Sequence, residues 1–205
     1  MNQKWNRLIY KCWAPFYDLF FNQGVFYSAR KRVFRDFPFR EGEDVLFVGV
    51  GTGADLAFCP TEKINAVAID DSKEMLARAK RKYRRENIKF IRMDAQSLSF
   101  PNRSFDAVVA SLIITVVPSP ERALAEIVRV TKKDGRILIF DKFAPKDRGL
   151  SFGKKIIRPV IKWFGTDIGV SFEKVYQTVK QECDIVEDTD IMMKGMYRKI
   201  ILKKR

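Results

Sequence analysis

Histidine is absent from these 205 residues. The chain therefore lacks the commonest general base and the commonest zinc and iron ligand. Its chemistry must come from carboxylates, tyrosines, lysines or a reactive cofactor, and no metal site is expected. Cysteine is scarce. Cys12, Cys59 and Cys183 lie far apart, with neither metal nor disulfide spacing, which fits a reducing cytoplasm. No apolar run approaches the roughly 20 residues that a spanning helix needs. Lys4, Arg7 and Lys11 interrupt the aromatic N-terminus, so it does not read as a cleaved signal peptide. Repeats and low-complexity linkers are also missing, and the length suits one domain, residues 1–205.

What is abundant is positive charge. Thirty-nine Lys and Arg against 25 Asp and Glu give a net charge of +14. Such a field attracts anionic partners: acidic lipid, nucleic acid or phosphorylated substrates. The excess is local. Residues 1–40 hold eight basic side chains against two acidic ones, and residues 142–162 hold seven against one.

From about residue 43 the pattern alternates. Strand-like runs at 44–50, 65–70, 88–93, 105–111 and 136–140 are separated by helical stretches at 54–59, 73–85 and 120–131. Apolar strand centres at this pitch predict a mostly parallel α/β sheet with helices on both faces. A helix at 172–182 and two strands, 184–193 and 196–202, around Lys194-Gly195 predict an antiparallel hairpin closing one edge. Residues 1–40 stand apart as an amphipathic helical segment. Trp5, Leu8, Ile9, Cys12, Trp13 and Phe16 share one face, and a second helix at 25–37 carries Val25, Phe26, Ala29, Val33 and Phe34. A helical insert at 143–170 mixes Trp163 and Phe164 with Lys154, Lys155 and Arg158. Basic aromatic helices can lie on an anionic lipid surface, or bury their apolar face on their own domain. The basic block at 78–92 reads as a solvated face that RNA could also use.

The stretch VLFVGVGTGADL, residues 45–56, carries the function. A buried strand runs into Gly49, Gly51 and Gly53, and glycines there let a ligand approach bare backbone. Read generously, Gly49-x-Gly51-x-x-Ala54 also fits a dinucleotide turn. Asp70 ends the second strand 17 residues past Gly53, where a carboxylate can take both ribose hydroxyls. The third strand ends in Asp94-Ala95.

VLFVGVGTG, AVAIDDSKEML, FIRMDAQSLSFPNRSFDAVVASL and LAEIVRVTKKDGRILIF together resemble the class I S-adenosylmethionine (SAM)-dependent methyltransferases over roughly residues 44–142. The resemblance implies a Rossmann-like, seven-stranded, mostly parallel sheet and SAM as cofactor. It implies Gly49, Gly51 and Gly53 under the methionine part, Asp70 on the ribose and Asp71 beside the adenine. Asp94 would accept from the adenine amino group with the Ala95 N–H nearby, and Ser111 would offer backbone. One position departs from the pattern. The family places Asp or Glu two residues before the first glycine, where this chain has Phe47. Either another acid, such as Asp18, replaces it, or the chain is a non-catalytic SAM binder.

The fourth strand lacks the Asn-Pro-Pro-Tyr type of signature that amino-directed nucleic-acid methyltransferases carry. SLIITVVPSPERALAEIVRV, with YKCWAPFYDLFF before the core, instead resembles the branch holding bacterial phosphatidylethanolamine N-methyltransferases and ubiquinone/menaquinone C-methyltransferases. That branch implies a phospholipid or quinone acceptor and peripheral membrane association, with Tyr17 covering the SAM pocket. RNA is the weaker alternative. Tyr17, Tyr27 and Asp141, at the end of the fifth strand, are the candidates for receiving the acceptor's proton. Asp141 could equally be a solvent-facing strand-end acid.

Overall fold

Strands with apolar residues on both faces become the centre of the sheet, and those with one polar face become its edge. The computed structural model describes residues 24–84, 87–144 and 169–205. Strands β1 (Asp44–Val48), β2 (Asn65–Asp70), β3 (Ile88–Arg92), β4 (Phe105–Ser111), β5 (Thr131–Lys142), β6 (Cys183–Met192) and β7 (Tyr197–Lys204) form one sheet in the order β3-β2-β1-β4-β5-β7-β6. The first five pair in parallel. β7 inserts antiparallel between β5 and β6. The expected mostly parallel seven-stranded sheet with a C-terminal antiparallel hairpin is the one observed.

Helices cover both faces. α1 (Gly24–Arg35) and α2 (Lys73–Lys82) pack Ala29, Val33, Phe34 and Leu76 over Val45, Phe47, Ala68, Val109 and Phe140. α3 (Pro120–Val130) and α4 (Phe172–Gln177) pack Leu124, Ile127, Phe172 and Val175 over Val48, Val108, Ile139 and Ile200 on the other. Capping fixes the starts. Ser72 and Ser171 accept from the N–H groups of Met75 and Lys174, and Pro120 opens α3.

Several boundaries differ from the sequence expectation. The helix expected at 54–59 is a single 3₁₀ turn, Asp55–Phe58. Cys59 precedes Pro60 and is extended, which stops the turn. The stretch expected as a helix to 182 leaves the helix after Gln177 and continues as turns. β5 begins at Thr131 rather than 136 and absorbs a register shift opposite Phe105 and Ala107, with Asp134 at φ 59°. β7 continues past 202 because Lys204 turns inward. Its Nζ donates to the carbonyls of Val128 (2.6 Å) and Thr131 (2.9 Å), satisfying the C-terminal end of α3.

The second N-terminal helix does not present its apolar face outward. Ala29, Val33 and Phe34 are buried on the sheet, and Arg30 is buried with them. Val25 and Tyr27 remain exposed. On α2, Lys80, Arg81 and Lys82 line an exposed basic face. The helical segment before residue 24 and nearly all of the insert at 143–170 lie outside the described residues.

Candidate functional site

The carboxyl ends of β1, β2, β4 and β5 meet at one edge of the sheet, and the polar residues singled out in the sequence gather there. After β1 the chain turns through Gly49 (φ 69°), Gly51 (φ 55°) and Gly53 (φ 82°). The turn is pinned from both sides. Val50 N–H donates to Ile69 O, and Gly53 N–H donates to Val50 O, each at 2.9 Å.

The three glycines have different neighbours. A Cβ on Gly49 would stand 2.7 Å from the Ile113 side chain, and one on Gly53 would stand 2.6 Å from the Tyr83 ring, whose hydroxyl donates to Gly53 O at 2.8 Å. A Cβ on Gly51 would meet nothing within 4 Å. The outer glycines are required by the protein's own packing. The middle one borders open space.

Asp70 adjoins that space. Its Oδ2 accepts from Gly51 N–H at 2.9 Å and its Oδ1 from Ser72 N–H at 2.8 Å. Burial pushes its pKa up to about 6, against the bonds from Ser72 and Gly51, and the Asp71 charge adds to the rise. Asp71 is half-buried, with its carbonyl bonded by Arg92 Nε at 2.9 Å. Asp94 closes a local turn, its Oδ1 accepting from the Gln96 N–H (2.9 Å) and side chain (3.1 Å). Ala95 beside it is buried. At the end of β4, Ser111 Oγ is buried with no hydrogen-bond partner among the described residues.

Asp141 is not the solvent-facing acid that was one reading of it. It is 1% exposed, and it accepts from Thr115 N–H (3.1 Å), Thr115 Oγ1 (2.7 Å) and Lys142 N–H (2.8 Å). Burial raises its pKa, opposed by these bonds. It ties the loop after β4 to the end of β5. Tyr27 is half exposed and leans on Phe58, ring centroids 5.1 Å apart. Tyr17 and Asp18 lie outside the described residues. Phe47 is 2% exposed in the core beneath α1, so the usual strand acid has no counterpart there.

Two features escaped the sequence. Tyr197 opens β7 level with Lys142, and its ring packs against Phe26 and Phe140. Burial, and then the Asp141 charge, push its hydroxyl up to about 12, so it stays protonated. Antiparallel register alone brings it to this edge. Arg30 forms a buried ion pair with Asp55 at 2.7 Å.

The family described as "Methyltransferase domain" matches residues 46–139. The phosphatidylethanolamine N-methyltransferase of Cereibacter sphaeroides is 36% identical over 201 residues, covering 96% of each chain. The chain belongs to the SAM-dependent methyltransferases. A demethylmenaquinone methyltransferase of Renibacterium salmoninarum is 42% identical over 98 residues, 48% of the methyltransferase and 40% of that protein. Among solved structures, a SAM-dependent methyltransferase of Thermotoga maritima shares the fold with a TM-score of 0.73 at 19% identity, covering 97% of this chain and 99% of that one. The methyltransferase uses SAM, and the residues at this edge suit that cofactor: open space over Gly51, the Asp70 carboxylate ending β2 beside it, and a buried Ser111 hydroxyl with no partner among the described residues. Among the described residues no cluster could hold a metal and no helix is long and apolar enough to cross a membrane.

Proposed function

We propose that this methyltransferase transfers a methyl group to the amine of phosphatidylethanolamine at an anionic membrane surface. The observation that carries the reading is the extent of the match to the Cereibacter sphaeroides protein. It runs through the N-terminal segment and the insert, the parts outside the shared core, whereas the Renibacterium salmoninarum quinone relative matches about half the chain. Acceptor choice resides in those outer parts, because the core is occupied by the cofactor. The charge excess of residues 1–40 and 142–162 adds attraction to an anionic surface.

When bound, SAM supplies an electrophilic methyl group open to in-line attack by a neutral amine. The chain's task is then to align the reactants and exclude water. Gly49, Gly51 and Gly53 carry the methionine part, Asp70 takes the ribose hydroxyls, and Asp71, Asp94 and Ala95 surround the adenine. Ser111 offers backbone and its hydroxyl. Tyr17 covers the pocket. Asp141, already holding three donors, keeps the Thr115 loop and Lys142 in place, which leaves Tyr17 and Tyr27 to relay the amine proton to water.

Radiolabelled methyl transfer from SAM tests this reading. Vesicles containing phosphatidylethanolamine should yield labelled phospholipid, and phosphatidylcholine vesicles should yield none. Preferential labelling of demethylmenaquinone in the same vesicles would replace the phospholipid by a quinone.

Asp70 gives the cofactor step a pH dependence. Ribose hydroxyls donate to a carboxylate, not to the acid form, so binding must remove the proton held up to about pH 6. SAM affinity should rise close to tenfold per pH unit below 6 and level off above 7. Calorimetric titration from pH 5 to 8 measures the slope. Asp70→Asn should bind weakly and lose it.

A further inference from the structure

Among the described residues the large apolar side chains left exposed are Val25, Tyr27, Ile185, Val186 and Met193. Ile185 and Val186 lie on the half of β6 remote from the cofactor edge, where Ile185 pairs with Leu202. The other three stand at the cofactor edge. β6 ends with Met192 opposite Tyr197, which is itself level with Lys142 at the carboxyl end of β5. The turn that follows, residues 193–196, therefore projects past that edge. The start of α1 points the same way. Its Phe26 ring lies 5.5 Å from the Tyr197 ring, whereas Phe37, just beyond its other end, lies against Arg136 early in β5.

Met193 is out of place by the ordinary rules for a turn. Met193 (φ 56°), Lys194 (φ 53°) and Gly195 (φ 81°) are all left-handed, a conformation that favours Gly, Asn and Asp. Methionine there adds backbone strain and leaves an apolar side chain 55% exposed at the tip of a hairpin. Val25, 67% exposed, does the same at the start of α1. Exposed lysines accompany both, Lys194 on the turn and Lys31 on α1. The two strongly basic stretches of the sequence also leave the described chain at this edge, one before Gly24 and the other after Ala144, whose N–H is held by Val170 O at 2.8 Å. Apolar tips among cations match the boundary between acyl chains and anionic headgroups; a nucleic acid supplies the charge but no apolar layer. We propose that Val25 and the Met193 turn seat the cofactor edge on an anionic bilayer, so that the site opens onto the leaflet carrying its acceptor.

The inference rests on the membrane reading of the function, and two readouts separate it from the choice of acceptor. Flotation with vesicles of phosphatidylglycerol and phosphatidylethanolamine measures docking. Labelling of dihexanoyl-phosphatidylethanolamine, dissolved as monomers, measures chemistry without a bilayer. The double variant Val25→Ser, Met193→Asn removes the apolar tips and leaves the charge unchanged. It should bind the vesicles about tenfold more weakly, yet label the dissolved lipid within about twofold of wild type. Asparagine suits a left-handed turn, so the melting temperature should not fall. Wild-type protein that labels neither lipid form overturns the acceptor, and flotation still decides the docking surface. Equal flotation of the two proteins overturns the docking surface. Equal loss on dissolved and vesicle lipid overturns it too, by making these residues part of the active site. A wild-type dimer that the variant turns into a monomer would make the face a contact between copies instead. In wild-type protein, hydrogen exchange at residues 24–28 and 192–196 should slow when vesicles are added, and unchanged exchange there overturns the proposal independently of any variant.

Discussion

Gly51→Ala should weaken SAM binding about 100-fold and leave the fold standing. No atom of the described residues beyond its chain neighbours lies within 4 Å of the position its Cβ would take, so the variant incurs the left-handed backbone cost at φ 55°, roughly 1–2 kcal/mol. On the proposed cofactor placement, the added methyl stands in the space the cofactor needs, beside the N–H that donates to Asp70. Gly49→Ala is the contrasting change. Its Cβ would arrive 2.7 Å from Ile113, so stability falls first and binding falls with it. Thermal melts beside calorimetric titration separate the two effects. A Gly51→Ala protein that binds SAM like wild type would mean that the open space at the turn is not where the cofactor lies.

The distinction between these glycines could not be read from the motif, where all three look alike. The order of strands could, because it follows from alternation and apolar centres. Asn65–Asp70 and Phe105–Ser111 match the expected strands to the residue. What the sequence hid were contacts between distant positions. Arg30 reads as one more basic residue on an amphipathic helix until Asp55, 25 residues on, is brought against it. Lys204 reads as a solvated end until the carbonyls closing α3 are set over it. Phe47 was legible as a departure, but its burial in the core beneath α1 depended on the packing of that helix on the sheet. Tyr197 gave no local signal, since only the insertion of β7 beside β5 lifts it to the site edge.

Arg198→Met should be the most destabilising single change outside the glycine turn. The Arg198 side chain is 1% exposed. It donates to Asp188 through Nε (2.9 Å) and Nη2 (2.6 Å) and to Glu173 through Nη1 (2.9 Å). Its guanidinium lies 5.8 Å from the Phe143 ring centroid and 5.2 Å from that of Phe172. Those two rings flank residues 145–168 in the sequence, so one arginine joins the described chain on either side of the proposed acceptor segment. Methionine fills much of the volume but takes both guanidinium hydrogen bonds away from the Asp188 carboxylate, which is 14% exposed, whereas Glu173 at 47% can be rehydrated. Removing one partner of a buried ion pair costs about 3 kcal/mol or more, a drop of about 6–12 °C in melting temperature at this chain length. Adding Asp188→Leu should recover a large part of the loss, because removing both charges from a buried pair is far cheaper than removing one. If the double variant melts no higher than Arg198→Met, the stability resides in the arginine's stacking on Phe143 and Phe172 rather than in the ion pair.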